Sequence, residues 1–307
     1  MKHKLISAKV IADSVCPKGV RMTTMEIEYP RFILAELNTH RMLSKNSASS
    51  RAIPVKSMHE FIRANPATPV SWGKNQPGMK ANEEVGSSVA TEALQVWNRA
   101  KEDALHWADA LAHKLAIHKQ IANRITEPWM TMKTVISGTE WTNFFHLRNH
   151  PDAQPEIKAL AEAMTVAYTT HLPVPLKPGD WHLPYITIAE YVPTGELQYF
   201  DENFNQLSLE DAKIISASCC AQVSYRKNDP GFTKAFKIWE QLIENDPVHA
   251  SPIEHQATPM DIDSMCRFEP DTWQPGVSHV SANSDLWSGN LRGWIQHRKL
   301  IRSEAVW

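Results

Sequence analysis

The chain has 307 residues, of which 42% are hydrophobic and 21% charged, with a formal net charge of -2. That length can bury a sizeable core in one large unit or two modest ones, and the near-neutral balance excludes a global basic field for nucleic-acid backbone. No run of about 18 apolar residues occurs, and Cys16, Cys219, Cys220 and Cys266 fit neither a zinc pattern nor a secreted disulfide framework. The expectation is a cytoplasmic chain that binds no metal, no nucleic acid and no membrane.

Residues 4–29 read as strands, because Val20, Met22 and Thr24, then Met25, Ile27 and Tyr29, alternate loosely with polar neighbours. Pro30 can open a helix whose apolar stripe is Phe32, Ile33, Leu34, Leu37 and Met42. This helix is expected to run out in the polar tract 44–50, where hydroxyls compete for backbone groups. Residues 65–82 are loop-like. A long helix is predicted over 84–118 and a second over 155–170, the latter with Ile157, Leu160, Ala161, Met164, Ala167 and Tyr168 on one face. A proline-rich connection follows at 173–184, a third helix is plausible at 232–245, and 256–290 lacks periodicity.

No G-x-G-x-x-G fingerprint, phosphate loop, G-x-S-x-G elbow or H-E-x-x-H helix is present. Any nucleotide or flavin must be held by side chains of another fold. Five clusters could do this. The tract from Thr39 through His40, Arg41, Asn46, Ser49 and Ser50 to Arg51 offers many donors and few charged acceptors, which suits phosphate or ring carbonyls. It could equally be a solvated helix end. Asn123-Arg124 with Pro128 is the second. Asn143, Leu147 and Arg148 have near-helical spacing in the third, where Arg148 could simply pair with Asp152 or Glu156. The fourth combines residues 221–224 with 249–255, ending in Glu254-His255. Residues 292–299, holding His297 and Arg298, are the fifth and could be a basic amphipathic C-terminal helix.

Taken together the clusters resemble the flavin-dependent thymidylate synthases. That family's signature is Arg-His-Arg, seven residues, Ser, and usually Arg two further on. Here Thr39-His40-Arg41 precede Ser49 and Arg51 at that spacing, with threonine replacing the first arginine. Arg124 and Pro128 match an Arg-x-x-x-Pro segment, and Asn143 to Arg148 with Ala153 to Ile157 match a further pair of segments. The family's Ala-x-Val-Ser and His-x-(Ser/Thr)-Pro-x-Glu-His segments are matched by 221–224 and 249–255, but out of order. A second copy of the helix motif then follows at 293–298. The chain reads as an elongated member with a partly duplicated and rearranged module: 1–172 and 211–307 synthase-like, 173–210 connecting, all packed as one unit.

The resemblance implies an α+β fold, with helices packed on a mostly antiparallel sheet, assembled as a homo-oligomer. It implies FAD, NADPH and methylenetetrahydrofolate as cofactors, dUMP as substrate, and methylation at C5 to give dTMP. Arg148 and His255 are the implied catalytic residues. Cofactor contacts fall on His40, Arg41, Asn46, Asn143, His255, His297 and Arg298; substrate contacts fall on Ser49, Ser50, Arg51, Arg124 and Arg148. Departures are Thr39, Ser47 in place of glutamate, and Thr139 in place of an arginine that reaches FAD; Gln296, His297 and Arg298 are candidates to compensate. Two alternatives stay open: a hydroxymethylase acting on dUMP or dCMP with the same scaffold, and a non-catalytic nucleotide-binding paralogue.

Overall fold

A computed structural model describes residues 5–225, 229–302 and 304. In chain order the elements are β1 (Ser7–Val15), β2 (Arg21–Pro30), α1 (Leu34–Asn38), β3 (Ser44–Ser47), α2 (Val55–Ala64), α3 (Ser87–Asp109), α4 (Lys119–Ala122), β4 (Thr131–Gly138), α5 (Thr142–Arg148) and α6 (Pro155–Thr170). They continue with β5 (Val174–Pro175), β6 (Thr187–Tyr191), β7 (Glu196–Phe200), β8 (Gln206–Leu207), α7 (Leu209–Gln222), α8 (Phe232–Trp239), β9 (Ala257–Pro259), β10 (His279–Val280), β11 (Leu286–Ser288), β12 (Leu291–Arg292) and β13 (Trp294–Gln296).

The α+β expectation holds. One sheet has the order β3-β4-β2-β1-β5, antiparallel except where β5 runs parallel to β1. Its central strand β2 is covered on both faces. Met25, Ile27 and Tyr29 face one side, where they join Ile136, Trp141 and Phe144 and meet Ile157, Leu160, Ala161 and Met164 of α6. Those four return at helical spacing, so one stripe of α6 is wholly apolar, and each large side chain contributes roughly 1.5–3 kcal/mol on burial. The start of α6 is set by Pro155 and by the Gln154 side chain, which accepts the Ile157 N–H.

Thr24 lies on the opposite face of β2, a consequence of the two-residue period of a strand. That face is covered by the segment carrying Trp181, His182 and Tyr185 and by α7. Thr24 Oγ1 bonds His182 Nε2, and Tyr185 donates to Glu26. Residues 257 and 182 form a further bridge, and β9 pairs with β13. The C-terminal part of the chain is thereby closed onto the N-terminal sheet.

Several expectations hold. The strands over 4–29 are β1 and β2, residue 4 lying outside the described range; 65–82 is irregular; the helix over 155–170 is α6. The long helix is α3 followed by a wider turn over Ala110–Lys114, and 232–245 is α8 with another such turn over Glu240–Glu244.

Other expectations are corrected. The helix after Pro30 shrinks to a short turn over Arg31–Ile33 and the five residues of α1. The polar tract forms β3 instead of a loop, because β4 presents a free edge and the backbone of 44–47 takes it. The proposed helix at 293–298 is β13 followed by a tight turn over His297–Leu300. Gly293 has φ +71°, which a helix does not accommodate, and the following residues pair with β9. Residues 256–290, though aperiodic, hold short strands that pair in an antiparallel β10-β11-β12 sheet.

Candidate active site

Two cavities flank the C-terminal end of α1; Asn38 lines one and Thr39 the other. The second, of about 330 Å³, is lined by Thr39 to Leu43, Glu140, Asn143, Phe144, Leu147 and Arg148. It forms because the turn after α1 lies against the exposed face of α5, whose Phe144 is anchored in the core while Asn143 and Arg148 point away from it. His40 is nearly buried, edge-on to Phe144. Arg148 Nε–H donates to His40 Nε2 at 2.7 Å, and its Nη2 donates to Thr39 Oγ1 at 3.1 Å. Because Nε2 accepts, the imidazole proton sits on Nδ1. Burial, then Arg148 and Lys45, push the His40 pKa down to about 4, so the ring is neutral near pH 7. Arg148 is thus not paired with Asp152 or Glu156. Those carboxylates take Lys80 and the Val70 N–H respectively.

The first cavity, of about 580 Å³, is lined by Arg31, Phe32, Leu34, Ala35, Asn38, Arg124, Glu127 and Pro128. Ser50 is buried behind it, and its hydroxyl donates to Glu127 Oε1 at 2.9 Å. Asn123 holds this loop in place by donating to the carbonyls of Ser50 and Ile53. Ser49 accepts the Arg51 N–H, and Arg51 is exposed beside it.

The structure brings the out-of-order motifs together. The Ser49 N–H bonds the Ser224 carbonyl, and Asn46 Nδ2 donates to the Cys220 carbonyl. Asn290 bonds Ser44 and the Met42 carbonyl. Behind β3 and β4 runs a buried chain of polar groups. Ser14 Oγ bonds His182 Nδ1 at 2.9 Å, Thr24 Oγ1 bonds Ser137 Oγ at 2.6 Å, and Ser137 Oγ bonds His255 Nδ1 at 2.8 Å. Burial drives both His182 and His255 down to a pKa of about 3. His255 Nε2 is buried without a partner among the described residues.

Not every candidate reaches a cavity. Asn46, Ser49, Ser50, Arg51, His255, His297 and Arg298 line neither. His297 packs between Trp181 and Trp239 and bonds Gln256 Oε1. Arg298 is taken up by Glu254 and Glu304. Beside Thr139 stands Arg292: its main-chain N–H bonds Thr139 Oγ1 at 3.1 Å, and its guanidinium Nε–H bonds Glu140 at 2.7 Å. Arg31 and Glu140 escaped sequence reasoning, while Glu127 and Arg292 fall inside its clusters without a role assigned to them. Glu127 lies inside the motif ending at Pro128, but nothing in its spacing marks which groups it meets.

The model of the thymidylate synthase complementing protein family matches residues 20–174, half of the chain. The chain belongs to that family. It is accordingly a nucleotide methyltransferase-like enzyme. No curated relative matches. Among solved structures, the UMP/dUMP methylase PolB from Streptomyces cacaoi bound with 5-Br UMP is 17% identical, over 54% of this chain and 89% of that one, with a TM-score of 0.45. The same methylase bound with 5-Br dUMP is 19% identical, over 49% and 66%, with a TM-score of 0.41. The matched span of the family ends ahead of His255, so the packing of 251–297 against β3 and β4 lies beyond it. No helix among the described residues is long and apolar enough to cross a membrane.

Proposed function

We propose that the enzyme transfers a one-carbon unit from methylenetetrahydrofolate to C5 of dUMP in an FAD-dependent reaction that yields dTMP. The reading is carried by one observation: Thr39, His40, Arg41, Asn143 and Arg148 converge on a single cavity in which Arg148 is held by a neutral histidine. The donor set fits one end of a flavin, since Arg41 and Asn143 are exposed donors at the rim and the His40 proton is on Nδ1. FAD, when bound, supplies the hydride that completes the methyl group, with NADPH as the source of reducing equivalents.

The chain's own residues orient and polarise. As C5 of a uracil becomes nucleophilic, negative charge grows on the ring carbonyls, and a fixed guanidinium lowers the barrier by stabilising it. Arg148 suits that task because two of its nitrogens are already committed to Thr39 and His40, so little reorganisation is left. Ser49, Ser50, Arg51 and Arg124 take the phosphate end. Arg292, its guanidinium held by Glu140, supplies a cation near the flavin-facing rim. His255 acts from behind β4 as a positioning group. The modules 1–172 and 211–307 work as one unit. A homo-oligomer is supported by the apolar groove along α3, where Val89, Ala93, Val96 and Trp97 line about 420 Å³. Three buried cysteines, Cys16, Cys219 and Cys220, none of them in a disulfide, suit the cytoplasm.

The test is an anaerobic incubation with FAD, NADPH, methylenetetrahydrofolate and either dUMP or dCMP, followed by mass spectrometry. Methylated dUMP is the expected product. A product heavier by one oxygen would replace this reading with a hydroxymethylase, and bound nucleotide without turnover under these conditions would overturn it.

A further inference from the structure

A single carboxylate oxygen organises the larger cavity. Glu127 Oε1 accepts from Arg124 Nη1 and Ser50 Oγ and is ion-paired with Arg31 Nη2, each at 2.9 Å. Arg31 is fixed independently of this contact: its main-chain N–H bonds the Met130 carbonyl and its Nη1 reaches Met132 Sδ at 3.2 Å. The side chains of Arg31 and Glu127 are 16% and 21% exposed, so the cluster is sheltered but reachable from the cavity. Two guanidinium groups against one carboxylate leave the cluster one positive charge in excess. Two guanidinium groups and a hydroxyl around one anionic oxygen are also the donors that a phosphate oxygen takes in a protein.

We propose that Glu127 is the resident counter-anion of a phosphomonoester subsite, and that Arg31 is its second guanidinium. The 5′-phosphate of a nucleotide enters by displacing the Glu127 carboxylate from Arg31, Arg124 and Ser50. This rests on the nucleotide reading above and adds two residues to it, neither of which the sequence motifs assign to the nucleotide. The exchange needs no new donors. A dianionic phosphate outcompetes a monoanionic carboxylate for the two cations, whereas a neutral nucleoside cannot displace it. Glu127 therefore sets specificity by competition: it keeps the arginines apart and paired, and it raises the threshold that an anion must exceed to bind.

The experiment is titration calorimetry of the full chain at low ionic strength, with dUMP and with deoxyuridine, on the wild type, Glu127→Gln and Arg31→Gln. Glutamine keeps the acceptor oxygen and the shape but removes the competing charge. Glu127→Gln is expected to tighten dUMP by at least about fivefold and to leave deoxyuridine unchanged, the size of a partly exposed charge pair. Arg31→Gln is expected to weaken dUMP by roughly tenfold, again without effect on deoxyuridine. Unchanged or weaker dUMP binding by a Glu127→Gln protein that melts like the wild type overturns the competition, while a wild-type preference for dUMP over deoxyuridine leaves the nucleotide reading standing. If Glu127→Gln does not fold, Arg31→Gln decides: an unaltered ratio of dUMP to deoxyuridine affinity overturns the subsite. Absence of any preference for dUMP in all three proteins overturns both the subsite and the nucleotide reading.

Discussion

Ser137 and His255, 118 positions apart in sequence, share a 2.8 Å hydrogen bond in the buried interior. Ser137 belongs to β4, inside the span matched by the family; His255 lies in the segment Ser251–His255 beyond it. The bond is continued through Thr24 to His182 and Ser14. One polar chain therefore ties three strands of the main sheet to the segments that close over it.

Breaking that chain has a definite cost. Ser137→Ala removes the partner of both Thr24 Oγ1 and His255 Nδ1. A buried polar group left unsatisfied costs roughly 1–3 kcal/mol, so the variant should be destabilised by about that amount in urea denaturation. A change under about 0.5 kcal/mol would mean that the hydroxyl is dispensable to the core.

Acid should destabilise the protein earlier than its carboxylates alone predict. His182 and His255 have folded pKa values of about 3, below the unfolded value of 6.5. Between these limits the unfolded chain binds more protons than the folded one, so stability is full above 6.5 and falls as pH drops towards 3. Each histidine contributes a slope on the order of 1 kcal/mol per pH unit across that window. Urea melts at pH 7.5, 6 and 5 on the wild type and His182→Gln read the slope; the variant's should be shallower.

Arg148→Lys keeps the charge but loses the planar fork that spans His40 and Thr39. If Arg148 polarises the pyrimidine, kcat should fall by on the order of 10²-fold with FAD retained. Flavin absorbance after gel filtration and steady-state rates together check this. His40→Phe should show the reverse balance, losing flavin first.

Arg292→Ala removes the guanidinium that Glu140 holds beside Thr139. Weaker FAD retention, read as flavin lost on dialysis, is expected, whereas Arg298→Ala should not affect flavin because Arg298 is committed to Glu254 and Glu304. Equal losses in the two variants would undo the assignment of Arg292.

Trp294 is fully buried, and its Nε1–H bonds the Val20 carbonyl. Trp294→Ala should cost about 3–5 kcal/mol in chemical denaturation, through lost packing and a stranded carbonyl.

The amino-acid sequence by itself determined the elements whose instructions are local. Helix α6 carries its cap, its proline and its apolar stripe in consecutive residues, and β2 alternates within its own length. It also carried the motifs that place the chain in its family, because their spacing survives whatever the surrounding fold. Only the tertiary structure decided what depends on partners distant in sequence. The tract at 44–47 is a strand because β4 offers an edge, and 294–296 is a strand because β9 does. His255 and His297 are interior groups, and Arg31 and Glu127 meet, for the same reason. A backbone pairing or a charge contact is set by which residue stands opposite, and linear order does not record that.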